Sequence, residues 1–425
     1  MRSRLTYFPV FFGCFFIVHM TLKISAQKTR PEKPGDFLET LLEKYPEHFG
    51  NILQNRDSLR VQIIYTQISR DAQNTPSFTN YYFNVSDSHY YYPASTVKMP
   101  VALLALQKIH ELRIPKLDKN SAMITESEHS GQTSVLNDPT STDGKPSIAQ
   151  YVKKIFLVSD NDAFNRLYEF VGQEYINKEL TKMGYTDAEI RHRLQISLTP
   201  DENSRTNPIS FFDGQGNLLY RQPMQFSQQK FSERNDFVGT GYYSNSILVN
   251  HAMDFSQKNR IGLEDLHNIL KSVIFPVDVP EKQKFNLTDD DYKLLYQYMS
   301  QYPAETKFPS YDTLANWDAY CKFLYWGSDT GRLPKNIRIF NKVGDAYGFL
   351  TDVSYFVDFD KKIEFMLSAI IYCNKDGILN DDKYDYKEVG FPFMKQLGRV
   401  IYQFELKRKK KFLPDLSKFK IQYDK

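Results

Sequence analysis

The sequence has few of the residues that mark the common alternatives to an ordinary globular protein. Only 3 of its 425 residues are cysteine and no Cys-x-x-Cys pair occurs, which excludes a disulfide scaffold and a cysteine-based zinc site. The formal net charge is only +3, so the excess of positive charge typical of nucleic-acid binding is lacking. No run of 18 uncharged apolar residues follows the N-terminal segment, and nothing downstream predicts a membrane-spanning helix.

The motifs of several well-known catalytic and binding sites are also missing. The chain contains no His-Glu-x-x-His, Gly-x-Ser-x-Gly, Walker, Gly-x-Gly-x-x-Gly or EF-hand pattern. Its 8 histidines show no spacing typical of metal ligands. We therefore expect neither a metal nor a cofactor. What the chain does have is a composition that is 41% hydrophobic and 15% aromatic, which is enough to form a large core.

The N-terminus has the layout of an export signal. Residues 1–26 contain two early arginines, an apolar stretch rich in Phe and then small residues, with cleavage predicted after Ala26. An uncleaved membrane anchor is the alternative. We expect export to the periplasm or the medium. Cys321 and Cys373 would be the cysteines left in the mature chain, and the sequence does not indicate whether they pair.

The spacing of apolar residues is strand-like toward both ends of the chain and helical in the middle. Alternating apolar residues predict strands at 61–68, 80–85, 337–343, 352–359 and 362–373. Helical spacing predicts helices at about 36–55, 97–112, 147–157, 162–171, 175–183, 262–274, 289–300 and 391–406. The helix at 97–112 is apolar almost all round and is expected to be buried. Residues 185–260 are polar and predict long loops.

These elements predict one discontinuous α/β (α+β) domain over residues 27–425. Its terminal segments, about 27–110 and 330–425, would share an antiparallel sheet. The middle of the chain, about 111–329, would form a helical lobe that carries an insertion at about 208–260. A cleft between the sheet and the helical lobe is the expected place of a substrate site.

The first candidate for chemistry is the sequence Ser95-Thr96-Val97-Lys98, directly before the buried helix. A serine and a lysine three residues apart at a helix start lie on one face within reach of each other. The helix N-terminus favours negative charge that develops nearby, and burial lowers the pKa of a lysine. Lys98 could then accept the proton of Ser95. The alternative is that Ser95 only caps the helix and Lys98 is a surface lysine.

Two further patterns follow along the chain. Ser159-Asp160-Asn161 lies between two predicted helices and could present a hydroxyl and an amide to a cleft, or could only cap the second helix. Lys342-Val343-Gly344 lies on a predicted strand that is followed by further strands. Each pattern alone is weak, because Ser-x-x-Lys and Lys-x-Gly recur elsewhere in the chain.

Taken together and in this order, the three patterns resemble the Ser-x-x-Lys, Ser-Asp-Asn and Lys-Thr-Gly motifs of class A β-lactamases and penicillin-binding enzymes. The sequence Tyr-Pro-Ala-Ser-Thr-Val-Lys-Met-Pro at 92–100 and the pair Thr351-Asp352 are similar as well. The resemblance implies a β-lactamase-like fold, with an antiparallel sheet flanked by helices and an all-helical lobe.

The resemblance also implies roles for the motif residues. Ser95 would be the acylated nucleophile and Lys98 its general base, while Ser159 would pass a proton to the leaving nitrogen. Asn161 would bind the amide side chain of the substrate, and Lys342 would supply positive charge. On the strand, Gly344 and Asp345 would adjoin the substrate, with the backbone N–H of Asp345 completing an oxyanion hole with that of Ser95.

The chain departs from this family in two places. In class A β-lactamases a glutamate on a loop after the Ser-Asp-Asn helix activates the deacylating water. Within 184–209, Glu189 lacks the Asn expected four residues later, and Glu202 is a weak substitute. In the third motif, Val343 replaces a hydroxyl that would hold a substrate carboxylate, and Asp345 adds negative charge. We expect typical β-lactams, which carry that carboxylate, to be poor substrates.

The sequence thus predicts an exported serine hydrolase that acts through an acyl-enzyme on a small molecule or peptide, either a β-lactam or a related amide. A penicillin-binding D-Ala-D-Ala peptidase with slow deacylation is one alternative. A noncatalytic cell-envelope binding protein is another. No nucleic-acid partner is expected, and the sequence does not indicate an oligomeric state.

Overall fold

The structure, a computed structural model, describes residues 37–86 and 88–424. The predicted signal peptide, residues 1–26, lies outside the described part. The helices are α1 (Phe37–Leu42), α2 (Pro46–Gln54), α3 (Lys98–Glu111), α4 (Ile148–Val158), α5 (Asn161–Val171), α6 (Gln173–Met183), α7 (Pro200–Ser204), α8 (Leu263–Ile274), α9 (Asp289–Ser300), α10 (Phe323–Trp326) and α11 (Phe391–Lys407). The strands are β1 (Gln62–Arg70), β2 (Pro76–Phe83), β3 (Ala122–Thr125), β4 (Ile209–Phe212), β5 (Leu218–Gln222), β6 (Phe237–Val238), β7 (Gly241–Ser244), β8 (Ile247–Val249), β9 (Met253–Asp254), β10 (Ile337–Ala346), β11 (Phe349–Asp358), β12 (Ile363–Tyr372) and β13 (Ile378–Leu379).

The central sheet joins the two ends of the chain. Its five strands run in the order β10-β11-β12-β1-β2, and every pair is antiparallel. The contact between the N-terminal and C-terminal parts is the β1–β12 pair, in which Ile64 lies opposite Ser368. The predicted fold class, helices flanking an antiparallel sheet built from both ends of the chain, is confirmed.

Helices cover both faces of this sheet, and alternate residues of each strand therefore enter two different cores. Along β1, Ile63 and Tyr65 join the core that also contains residues of α1, α2 and α11. Ile64 and Ile68 join the core on the other face, which contains residues of α3, α4, α5, α8 and α9. Because both faces are covered, β11 and β12 are buried along their whole length, and buried and exposed residues do not alternate along them.

The helix predicted at 97–112 is the buried centre of the helical part. It is α3, whose buried residues run from Lys98 to Ile109 on every side of the helix, and it contacts α4 and α5. A turn of 3-10 helix at Ala94–Val97 leads into it. The helix and the turn together bring the Ser-x-x-Lys sequence against strand β10, which contacts the 3-10 turn.

Several predicted elements differ from those observed. The helix predicted at 36–55 is two helices, because the second one starts afresh at Pro46, a residue that favours the first turn of a helix. The polar segment 185–260 is not only loop: β4 and β5 join β3 in a three-stranded sheet, β6 pairs with β9, and β7 and β8 lie beside β13. The strands within 185–260 have only two to five residues each, which is too short for an alternating apolar pattern to be recognised.

Two expectations concern the membrane and the cysteines. Among residues 37–86 and 88–424, no helix is both long enough and apolar enough to cross a bilayer. Cys321 and Cys373 are both buried and are both free thiols. Burial raises the pKa of each thiol, Cys321 and Cys373 alike, so neither is poised as a thiolate.

Candidate active site

Ser95 lies in the 3-10 turn that begins the buried helix, and it lines a cleft of about 350 Å³. The preceding residue, Ala94, has a φ of +46°, an uncommon conformation for a residue with a side chain. No side chain caps either the turn or α3, so Ser95 is not a helix cap. Lys98 is fully buried, so it is not a surface lysine. Both alternatives that would make this sequence purely structural are therefore wrong.

Lys98 is directed at the Ser-Asp-Asn sequence. Its Nζ donates to the backbone carbonyl of Ser159, to Ser159 Oγ at 3.3 Å and to Asn161 Oδ1 at 2.6 Å. Burial lowers the pKa of Lys98 well below its usual range, and the charge of Lys342 lowers it further. Burial thus favours the neutral form of Lys98, whereas its three contacts, all to acceptors, favour the charged form.

Ser159 lies at the junction between α4 and α5 in a left-handed conformation, with a φ of +59° and a ψ of +37°. This conformation ends α4 and turns the carbonyl and the hydroxyl of the same residue toward Lys98. Asp160 caps α5 by accepting a hydrogen bond from the backbone N–H of Ala163 at 2.8 Å. The motif is therefore both a helix junction and a source of polar groups for the cleft.

Asn161 connects Lys98 to a loop in which the sequence analysis identified no functional residue. Its Oδ1 accepts from Lys98, and its Nδ2 donates to Gln195 Oε1 at 2.6 Å. Gln195 lines the cleft together with Ser95 and Asn161. It has a φ of +61° within an irregular loop, and no motif or periodic pattern marked it in the sequence.

Lys342 reaches the same serine from the sheet. Its Nζ donates to Ser159 Oγ at 2.8 Å and to the carbonyl of Val343 at 2.8 Å. The side chain is buried, and burial lowers the pKa of Lys342 to about 8. Lys98 and Lys342 thus share one hydroxyl, although they lie on different elements and far apart in the sequence.

Gly344 lets β10 pass directly beside Ser95. A Cβ at this position would lie 2.6 Å from the carbonyl oxygen of Pro93 and 3.0 Å from the backbone nitrogen of Ser95. Such distances are shorter than van der Waals contact, so only a glycine fits without a shift of the backbone. The close approach brings the strand edge to the backbone N–H of the proposed nucleophile.

The hairpin between β10 and β11 sets the direction in which the N–H of Asp345 points. Its two loop residues, Tyr347 and Gly348, both have positive φ, at +54° and +81°, as in a type I′ turn. In such a hairpin the backbones of Ala346 and Phe349, which flank the loop, hydrogen-bond to each other. The next opposite pair, Asp345 and Leu350, therefore exchanges no backbone hydrogen bonds. The N–H of Asp345 therefore points away from β11, at the edge of the sheet where Ser95 lies.

The remainder of the cleft is aromatic and acidic. Tyr92, Tyr347, Tyr384, Asn380 and Asp382 line it together with Asp345. Asn380, Asp382 and Tyr384 come from an irregular segment after β13, which sequence analysis did not single out. In the part of the chain that the structure describes, no group of three or more His, Cys, Asp or Glu side chains could hold a metal ion.

Three residues named in the sequence analysis lie elsewhere. Glu202 is half-buried and accepts hydrogen bonds from the backbone N–H and the hydroxyl of Thr199 as part of a helix cap, and it does not line the cleft. Glu189 pairs with Arg191 and also does not line the cleft. Val343 is buried in the core that contains α11, so a hydroxyl is indeed absent there, but the side chain faces the core rather than the cleft.

Comparison with known proteins identifies one family. The model of the beta-lactamase enzyme family matches residues 48–404. No curated protein matches the sequence.

Among solved structures, the chain is similar to a class A beta-lactamase from Clostridium kluyveri, with 14% identity over 84% of this chain and 98% of that one and a TM-score of 0.46. It is similar to the beta-lactamase from Streptomyces albus G, with 11% identity over 84% and 99% and a TM-score of 0.45. It is also similar to PBP-A, with 14% identity over 86% and 96% and a TM-score of 0.45.

Proposed function

Since the chain belongs to the beta-lactamase enzyme family, we propose that it is a serine hydrolase that forms an acyl-enzyme on Ser95 with β-lactams or related amides. The observation that carries the proposal is the position of one hydroxyl. Ser159 Oγ accepts from both Lys98 and Lys342 beside the cleft that Ser95 lines. A binding protein without chemistry has no need to bury two lysines against one serine, because buried charge is costly.

We infer an acylation step that adds Ser95 to this group of residues. Lys98 in its neutral form takes the proton of Ser95 as Ser95 Oγ bonds to the carbonyl carbon of the substrate. The N–H groups of Ser95 and Asp345 hold the oxygen that becomes negative. The C–N bond then breaks, Ser159 gives its proton to the leaving nitrogen, and Lys98 returns a proton to Ser159 across their 3.3 Å contact.

The relay is consistent with the hydrogen-bonding capacity of Ser159. A serine oxygen has two lone pairs and one proton. Both lone pairs of Ser159 are used by the two lysines. Its proton is therefore directed away from both of them, which leaves it available to a leaving group in the cleft.

The identity of Gln195 favours a second candidate, a penicillin-binding enzyme of the D-Ala-D-Ala peptidase type with slow deacylation. Gln195 is the residue of the loop after the Ser-Asp-Asn helix that contacts Asn161. An amide cannot take a proton from a water molecule at neutral pH. The acyl-enzyme would then persist, whereas a β-lactamase would hydrolyse it.

The test is the intact mass of the protein over time with benzylpenicillin and, separately, with an uncharged fluorophosphonate. We expect an adduct that is lost in Ser95→Ala and kept in Ser417→Ala, an exposed serine that belongs to another Ser-x-x-Lys sequence. A persistent penicillin adduct favours the penicillin-binding enzyme, and an adduct that vanishes while drug is consumed favours the β-lactamase. No Ser95-dependent adduct with either reagent would favour the noncatalytic binding protein.

We also propose that the protein is exported and that residues 1–26 are removed. The composition of this segment supports the proposal. N-terminal sequencing of the protein from the periplasm or the medium should begin at Gln27. A chain that begins at Met1 and stays with the membrane would mean that the segment is an anchor.

A further inference from the structure

Two carboxylates line the cleft in which Ser95 lies. Asp345 and Asp382 both line the cleft and both are exposed to it. Among residues 37–86 and 88–424, neither carboxylate forms a hydrogen bond or an ion pair. Burial raises the pKa of Asp345, and the positive charges of Lys342 and Lys98 oppose this shift. The cleft therefore presents two acidic groups to a substrate, unlike a site built for a substrate carboxylate.

The nearby lysines do not neutralise this charge by contact. Lys342 donates to Ser159 and Val343, and Lys98 donates to Ser159 and Asn161. Burial disfavours the charged form of both lysines. Their nitrogens thus serve the serine relay, which leaves both acids free to bind a cation.

Three tyrosine rings line the same cleft as the two acids, and packing and hydrogen bonding hold their positions. Tyr92 and Tyr347 meet edge to face with ring centroids 5.2 Å apart. The hydroxyl of Tyr384 accepts from the backbone N–H of Asn380 at 2.9 Å. Aromatic faces attract ammonium and guanidinium groups, most strongly where the site is shielded from water.

The structure contains an internal example of such a contact. The Nζ of Lys258 lies 6.0 Å from the centroid of the Tyr347 ring. Lys258 does not line the cleft itself, so its ammonium group approaches the ring from elsewhere. The ring of Tyr347 thus already has a cation as a neighbour, in addition to the two carboxylates of the cleft.

We propose that the substrate carries a cationic group, an ammonium or a guanidinium, that binds among Asp345, Asp382 and the tyrosine rings. This proposal rests on the proposed function, because it concerns the substrate of the same Ser95 cleft.

The experiment compares thioesters whose variable group is cationic, neutral or anionic, and each rate is divided by that of the same thioester with a small thiol in buffer, because the charged group also changes the intrinsic reactivity. One set has phenylacetyl as the acyl group and thiocholine, mercaptoethanol or mercaptopropionate as the leaving thiol. A second set places a trimethylammonium, a hydroxyl or a carboxylate on the acyl chain instead. Intact mass measures the rate at which Ser95 is acylated. We expect the cationic member of at least one set to react about tenfold faster than the neutral member, and the anionic member to react more slowly.

Asp345→Asn and Asp382→Asn test the two carboxylates. Each should reduce the ratio of cationic to neutral rates several-fold, whereas Asp360→Asn, an exposed acid at the far end of β11, should not change it. In the unmodified protein the ratio should also fall with added salt, which provides a readout if either variant fails to fold.

The outcomes separate the two proposals. Equal rates for cationic and neutral probes in both sets, with Ser95 labelled, would overturn the cationic substrate and leave the serine hydrolase intact. No labelling of Ser95 by any thioester or by the fluorophosphonate would overturn both.

Discussion

Lys342 Nζ lies 2.8 Å from Ser159 Oγ and joins the edge strand of the sheet to the junction of two helices 183 residues away. Lys98 approaches the same oxygen at 3.3 Å from a third element. The three motifs that are scattered through the sequence therefore meet at one hydroxyl. This convergence, more than any one motif, distinguishes the site from chance occurrences of the same sequence patterns.

The first prediction concerns the proton of Ser159. Ser159→Ala should slow the acylation of Ser95 by β-lactams and amides about 10²- to 10⁴-fold, because their leaving nitrogen must be protonated. Thioesters should be affected much less, because a thiolate leaves without a proton. The rates are measured from the intact mass. An equal loss with both kinds of substrate would mean that Ser159 acts through structure alone.

The second prediction concerns stability and pH. Burial lowers the pKa of Lys342 from 10.5 to about 8, so the unfolded chain binds more protons than the folded one between these values. The free energy of unfolding of the unmodified protein should rise relative to that of Lys342→Met over this window, by about 1.4 kcal/mol per pH unit at most. Below pH 8 the difference should be constant.

Urea unfolding of both proteins from pH 7 to pH 10 measures this difference. Lys409→Met, which removes an exposed lysine, should show no such dependence. The difference in the free energy of unfolding between the unmodified protein and Lys342→Met could also stay constant or fall as the pH rises. Either result would contradict a lowered pKa for Lys342.

The third prediction concerns Gln195. Gln195→Glu places a carboxylate where the amide now contacts Asn161, and such a group can take a proton from water. The lifetime of the penicillin adduct on Ser95 should shorten by about 10²-fold or more. Gln195→Leu is the matched control and should leave the lifetime long. If the two variants have equal lifetimes, Gln195 does not limit deacylation.

The fourth prediction concerns the approach of the strand to the nucleophile. Gly344→Ala places a methyl group 2.6 Å from the carbonyl oxygen of Pro93, so β10 must move away from Ser95. We expect a loss of about 1–3 kcal/mol in the free energy of unfolding and a large loss of Ser95 labelling. In Gly331→Ala the added methyl group meets no other atom within 4 Å. This variant should change neither the free energy of unfolding nor the labelling of Ser95. Normal labelling in Gly344→Ala would show that the close approach is not needed.

Sequence reasoning identified Ser95, Lys98, Ser159, Asn161 and Lys342, and the structure brings their motifs together. The sequence was sufficient to recognise them because each of the three motifs consists of particular residue types at short spacings along the chain. Most of the central sheet was also predictable, because four of its five strands are apolar and largely buried, whereas the half-exposed β2 begins before the strand predicted at 80–85. The strands within 185–260 could not be predicted, because each has only two to five residues, too few for an alternating pattern.

Other features depend on contacts between distant segments and had no local pattern. Gln195 faces Asn161 only because an irregular loop folds back over the start of α5. Asp382 and Tyr384 reach the cleft from a segment after β13, and the N–H of Asp345 points outward because a type I′ turn sets the pairing of β10.

The sequence alone therefore determined which groups are available for chemistry and which family they resemble. The tertiary structure decided which of these groups share a hydrogen bond, which side chain contacts Asn161 and which acids line the cleft. The physical reason is that hydrogen bonding and charge act over a few ångströms in space, whatever the separation along the chain.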